Sequence, residues 1–408
     1  MSKTNKKNII LLVVLFVSMI FLGIVDNVRG PALPRIQSDF DITAFHLGLI
    51  MAMSSTGYLV ASAFTAMLGR RIGMTSCLVC SLAIIALTGV FLSVTPGFVF
   101  LLFAFMVLHI GSGMLDVSLN IIAGSAFTEN ISSRMNVIHC FYGVGAIFAP
   151  VISTSVMMVR FSEQLYGWRV MYLIVMSWAI VPAALAIISR YKLKPGNKKS
   201  DGYAKLLRMP KLWLLVATLT LGLISEVGIA SWIVIYLERA HDFAPDRAAL
   251  FLTFYFICFT AARLLMGPLI DKFGIVNSII LFTSLSGTLV VSGVLLGAPG
   301  APVILAAGFA IAPLFPTIMA ALSKLFYAEV DRAMTAVITA MGALLIPANL
   351  LIGAIIQISR QAFAPGHGDD AIRLAYSTGF VFIGFASFLA ATVAIVLRRR
   401  LKRDGELC

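Results

Sequence analysis

The 408 residues are 60% hydrophobic and 12% charged, with a mean hydropathy of +0.98, whereas soluble domains carry about a quarter charged residues. A soluble fold has no interior large enough for that apolar surface, and apolar runs of about twenty residues match a hydrocarbon core of roughly 30 Å crossed at 1.5 Å per residue. The formal net charge of +13 would suit a nucleic-acid binder only if the cations gathered on one folded face, and they are spread between the apolar runs instead.

The first run, Ile9–Val28, follows Lys3, Lys6 and Lys7. It is longer than a signal-peptide core and has no small-residue cleavage site, so it reads as a retained first helix. Polar or Gly/Pro breaks then separate predicted helices over Phe45–Leu68, Met74–Val94, Phe98–Ala123, Asn136–Val159 and Val170–Ser189. The second half predicts Leu212–Leu237, Ala248–Ile270, Val276–Leu296, Pro302–Leu322, Ala333–Ile358 and Leu374–Leu397. With both termini on the cytoplasmic side, the cytoplasmic segments collect Arg70, Arg71, the Arg190–Lys211 group and Arg398–Arg403 as well as the N-terminal lysines. The outer segments keep few cations, an asymmetry that is the positive-inside pattern of a multi-pass protein in a bacterial inner membrane.

The polar stretch Arg190–Lys211 holds Pro195, Gly196, Lys198 and Lys199 and divides the chain into bundles at 1–189 and 212–397, leaving 398–408 as a basic cytoplasmic tail. The halves echo each other. Gly69-Arg70-Arg71-Ile72-Gly73 follows helix two as Asp271-Lys272-Phe273-Gly274 follows helix eight, and Arg134, Gly145 and Pro150 of helix five match Arg332, Gly342 and Pro347 of helix eleven. The expected fold is an all-α integral membrane protein of about twelve helices in two pseudo-symmetric six-helix bundles. Such repeats place a solute site near midplane between them.

An ionisable side chain deep in a membrane helix costs about 2.5 to 3.5 kcal/mol on translocon scales, so each one invites a functional reading. Asp116 lies mid-helix in Gly111-Ser112-Gly113-Met114-Leu115-Asp116, where small residues permit close helix approach, and Asn120 shares its face one turn on. It is the expected proton-coupling carboxyl, with internal pairing as the structural alternative. Asp26 and Arg29, three apart in helix one, either pair with each other or contact solute. Glu226, ahead of Ser231 and Trp232, either bonds a polar ligand while the indole stacks on it or bonds within the bundle. His139 and Tyr142 share a face of helix five and offer donors to a hydroxyl-rich solute. Arg263, Asp271, Glu329 and Arg332, near cytoplasmic helix ends with Arg70, Arg71 and Arg134, read as gate charges or as plain topology anchors.

Cys77 and Cys80 imitate a CxxC pair within an apolar helix with no second pair, and read as packing residues. No metal cluster, nucleophile constellation or phosphate-binding glycine loop is evident. The chain is therefore expected to be no enzyme, to need no cofactor or metal, and to work as a monomer on a small solute and protons within the lipid bilayer.

Asp26-Asn27 with Ala32-Leu33-Pro34, Gly113-Met114-Leu115-Asp116 with Asn120, and His139-Cys140-Phe141-Tyr142-Gly143 carry a resemblance that Glu226-Val227-Gly228, Ser231-Trp232 and Pro313-Leu314-Phe315-Pro316 extend into the second half. Over nearly its whole length the chain resembles the major facilitator superfamily and, within it, the fucose-galactose-glucose:proton symporter family. The resemblance implies sugar and proton symport with Asp116 at the coupling carboxyl of helix four, and a cavity lined by Asp26, Asn27, Arg29, Asn120, His139, Tyr142, Glu226 and Trp232. Gly30 stands where the family carries a helix-one aspartate, and His139 and Tyr142 replace its helix-five amides, which leaves a charged or amino-bearing solute open. Proton-driven export of drugs or metabolites is the alternative, although Pro150 is followed by Val151, Ile152 and Ser153 rather than by the paired glycines of drug antiporters.

Overall fold

A computed structural model describes residues 3–126, 131–161, 164–165, 167–189, 206–368 and 370–405. Among them, 12 helices are long and apolar enough to cross a membrane. Spans one to six are Ile10–Asp39, Ala44–Ile72, Met74–Ser93, Phe98–Gly124, Val137–Met157 and Gly167–Ser189. Spans seven to twelve are Pro210–His241, Pro245–Leu265, Ile275–Leu295, Ala298–Leu325, Arg332–His367 and Asp370–Arg403. Regular structure outside these spans includes the short helix Gly267–Phe273, a 3-10 turn at Tyr327–Glu329 and a two-residue antiparallel pairing of Arg160–Phe161 with Gln164–Leu165. Most of the expected linker lies outside the described residues.

The chain forms two compact units, Met1–Ile42 with Leu49–Lys198, and Thr43–Gly48 with Lys199–Cys408. Each is helical because a backbone in hydrocarbon must satisfy its own N–H and C=O groups. Buried hydroxyls obey the same constraint by bonding back to their own helix, as Ser54 does to the Ile50 carbonyl (2.9 Å), Thr88 to Ile84 (2.7 Å) and Thr283 to Ile279 (2.7 Å). Large apolar side chains that no helix covers, such as Leu87, Phe103, Ile180 and Leu295, stay exposed, as lipid-facing positions should.

Three spans are interrupted, each just ahead of a proline. Span one breaks at Val28 between helices Lys3–Asn27 and Arg29–Asp39, where Pro31 cannot donate to the carbonyl of Asn27. The Ser153 hydroxyl donates to the Val28 carbonyl at 3.0 Å across this break. Span six breaks at Trp178–Ala179 ahead of Pro182, and span ten breaks at Ala312–Pro313 ahead of Pro316. The sequence pattern ended helix one at Val28, whereas the helix resumes and runs to Asp39 because Pro31 sits in the first turn of the new segment, where no N–H is needed. Span twelve also continues past Leu397 through Arg403, since cationic side chains suit the negative end of a helix dipole.

Glycines set the closest helix contacts within the first unit. A Cβ on Gly23 would lie 2.2 Å from the Tyr142 carbonyl oxygen, and one on Gly145 would lie 2.0 Å from that of Ile20. Spans one and five therefore touch backbone to backbone. A Cβ on Gly57 would lie 2.2 Å from the Met106 carbonyl oxygen and one on Gly113 would lie 2.8 Å from the Ala61 Cβ, so spans two and four approach in the same way. We predict that Gly145→Ala lowers the thermal midpoint of the purified protein, by an overpacking cost of about 1–3 kcal/mol. Gly124→Ala, with nothing within 4 Å of the added methyl, should leave the midpoint unchanged or raise it. Equal midpoints for the two variants would contradict the close crossing.

Candidate functional site

The glycine contacts of the first unit fix which polar groups meet. With Gly23 and Gly145 in register, Asp26 and Asn27 of span one come to Tyr142 of span five. The Tyr142 hydroxyl donates to Asp26 Oδ2 at 3.3 Å and accepts from Asn27 Nδ2 at 3.3 Å, while the same Asn27 nitrogen donates to the Gly23 carbonyl at 2.9 Å. The other Asp26 oxygen, Oδ1, is buried, with the Ser112 hydroxyl beside it.

Gly57 and Gly113 let span two approach span four, and this brings Tyr58 to Asp116. The Tyr58 hydroxyl donates to Asp116 Oδ2 in a short hydrogen bond. Asp116 Oδ1 accepts from Asn120 Nδ2 at 2.9 Å, a nitrogen that also reaches the Asp116 backbone carbonyl at 3.0 Å. The partners of Asp116 are thus a phenol and an amide, neither of which brings a charge. Asp26, Asn27, Tyr58, Asp116, Asn120, His139 and Tyr142 are all half-buried, so the polar faces of these spans stay open.

Arg29, on the far side of the span-one break, lies with Nη1 3.4 Å from His109 Nε2, and His109 Nδ1 is 2.8 Å from the Phe105 carbonyl. A carbonyl only accepts, so Nδ1 carries the proton and the Nε2 lone pair faces the guanidinium. The Arg29 charge also acts on the Asp26 carboxyl. Arg29 therefore brings a cation to the carboxyls of the first unit.

In the second unit, Glu226 Oε1 lies 3.8 Å from Arg263 Nη2, and its Oε2 is buried without a hydrogen bond. The Tyr255 hydroxyl donates to the Glu226 backbone carbonyl at 3.1 Å. Arg263 Nε donates to the Ala312 carbonyl at 3.3 Å, which is the group that Pro316 leaves without an in-helix donor, and its guanidinium lies 4.3 Å from the Phe259 ring centre. Arg263 thus ties Glu226 to the break in span ten, where the sequence had placed it among gate charges. Trp232 is wholly buried against Tyr376, and its indole N–H makes no hydrogen bond; its ring faces no open space in this structure.

Of the other expected gate residues, Arg70 and Arg71 are exposed in the last turn of span two, and Glu329 pairs with Arg332 at 3.7 Å within one helical turn. The side chains of Arg134 and Asp271 lie outside the described residues. Tyr58, Ser112 and Tyr255 were not picked out from sequence. A neutral phenol or hydroxyl is cheap in a membrane helix, so only its neighbour in space marks it, and the Gly57-Tyr58 pair is the one local signal.

A family profile described as Major Facilitator Superfamily matches residues 15–347. The chain belongs to the major facilitator superfamily. It is a multi-pass membrane transporter and not an enzyme. Among curated relatives, Bypass of stop codon protein 6 of Saccharomyces cerevisiae is 21% identical over 63% of this chain, and the gentisate transporter of Corynebacterium glutamicum is 24% identical over 54%. The chain spans about half the length of these two, 56% and 52% respectively. The 3-(3-hydroxy-phenyl)propionate transporter of Escherichia coli is 23% identical over 92% of each chain. Among solved structures, a bacterial homolog of the human lysosomal transporter Spinster matches with TM-score 0.85 at 14% identity, covering 99% of both chains. The E. coli fucose:proton symporter matches with TM-score 0.59 at 18% identity, covering 94% of this chain and 99% of its own. These likenesses establish the fold.

The Glu226–Arg263 contact yields a direct test. Glu226→Gln and Arg263→Gln should each lower the thermal stability of the purified protein, the second by stranding a carboxylate, and the double variant should recover part of the loss. A coupling of about 1–3 kcal/mol is expected. Strictly additive losses would mean that the two groups do not act on each other.

Proposed function

We propose that this member of the superfamily is a proton-coupled symporter of a small hydroxylated solute, of the monosaccharide or polyol class, working by alternating access in a bacterial inner membrane with both termini cytoplasmic. The observation that carries the reading is the environment of Asp116, whose two oxygens are held by Tyr58 and Asn120. A carboxyl with neutral partners can bind and release a proton without breaking an ion pair. Asp116 is assigned as the proton carrier, with Asp26 and Glu226 as further titrating groups. Asn27, Asn120, His139 and Tyr142 supply donors and acceptors to solute hydroxyls. Binding of solute and proton together stabilises the state that closes over them, which couples the two fluxes. Arg70, Arg71 and the Glu329–Arg332 pair are assigned to the cytoplasmic gate.

A second reading has a specific observation behind it. Arg29, facing the lone pair of His109, is a fork suited to a carboxylate, and two relatives are named for transport of gentisate and of 3-(3-hydroxy-phenyl)propionate. On this reading the solute is a hydroxylated organic acid whose carboxylate docks on Arg29.

Counterflow in proteoliposomes across neutral sugars, polyols and hydroxylated aromatic acids, with external pH recorded, separates the readings. Sugar entry with alkalinisation of the medium supports the first, and entry confined to acids supports the second. Solute entry without proton movement removes symport from both. Asp116→Asn should abolish uphill accumulation by at least tenfold while sparing exchange. Undiminished accumulation in that variant would take the coupling role away from Asp116.

A further inference from the structure

A group of adjoining cavities lies away from the polar site, between the start of span seven and the end of span twelve. One of about 680 Å³ is lined by Arg208, Pro210, Trp213 and Leu214 on one side and by Val396, Arg399, Arg400 and Arg403 on the other. Two more adjoin it, one reaching Arg398 and Lys402, the other Lys211 and Asp404. Four arginines from two segments distant in sequence thus converge on one groove.

Their partners are unequal. Arg400 and Arg403 share Asp404, at 3.7 and 3.6 Å. Arg208 and Arg399 make no hydrogen bond or ion pair among the described residues, and both are exposed. Span seven begins at this groove with Pro210 at its first position, so the positive end of its dipole and its unpaired N–H groups add to the cationic field. The far wall is apolar: Trp213 and Val396 are 47% and 48% exposed. The indole is held in place by its N–H donating to the Leu207 carbonyl at 2.7 Å, leaving the ring face bare at the depth where tryptophan borders the headgroups.

A cationic floor beside a bare apolar wall, at the end of two membrane-spanning helices, matches one kind of ligand in charge and in shape. We propose that this groove is a binding site for an anionic phospholipid, with the headgroup phosphate held between Arg208 and Arg399 and an acyl chain lying along Trp213, Leu214 and Val396. A free phosphate would use the arginines and leave the wall unoccupied. The plain positive-inside effect would need cations at this level but not their convergence on a cavity.

The test uses the full-length protein in nanodiscs made from an equimolar mixture of phosphatidylglycerol and phosphatidylcholine, with retained lipid measured by native mass spectrometry. Arg208→Gln with Arg399→Gln should lower retained phosphatidylglycerol roughly thirty-fold and leave phosphatidylcholine unchanged. Lys272→Gln with Lys324→Gln removes the same charge from exposed positions elsewhere and should have little effect. Arg399→Gln alone gives the same readout at smaller amplitude should the double variant be unstable. Equal losses in the two double variants, or no loss in either, would overturn the site in favour of diffuse surface attraction. Displacement of the retained lipid by millimolar inorganic phosphate would overturn the lipid assignment.

Discussion

The carboxyl of Asp116, mid-span in a helix, is held by one phenol and one amide, and much of the first unit is arranged to keep them there. Tyr58 reaches it because Gly57 and Gly113 bring spans two and four together. Asn120 reaches it because it lies one helical turn on. The second carboxyl, Asp26, is delivered by the other glycine crossing, Gly23 on Gly145, and by a helix break that Ser153 caps. Two acidic groups thus stand on adjoining faces of one bundle with neutral donors around them and a single arginine nearby.

The second unit solves the same problem differently. Glu226 has a cation, Arg263, and that cation also fills the carbonyl left open by Pro316. Breaking this half-buried pair leaves a carboxylate without its cation, whereas the partners of Asp116 are a phenol and an amide. The proposed reading places the coupling role in the first unit because the partners of Asp116 there are neutral.

The span count was legible because membrane helices announce themselves by length and apolarity; charge stands out within them because it is expensive in lipid. Asp26, Asp116 and Glu226 stood out for that reason alone. Tyr58 and Tyr255 did not, since a phenol carries no charge and its importance depends on which helix lies opposite. The pairing of Arg263 with Glu226 was not read from the sequence, because its backbone sits in the last turn of span eight while its long side chain reaches back to Glu226. Trp232 was expected to face a ligand and is instead packed against Tyr376. Helix breaks were legible only in part: the apolar run ends near Val28, where span one breaks, but the run does not show that a second helix follows with Pro31 in its first turn.

The central claim is that proton binding at a neutral-partnered carboxyl drives solute across the membrane. Its most direct test is solute accumulation in proteoliposomes under an imposed pH gradient, with the membrane potential clamped at zero. Accumulation against the solute gradient when the exterior is acidic, collapsing on addition of a protonophore, is the predicted result. Uptake that only equilibrates, at the same rate with and without the pH gradient, would contradict it.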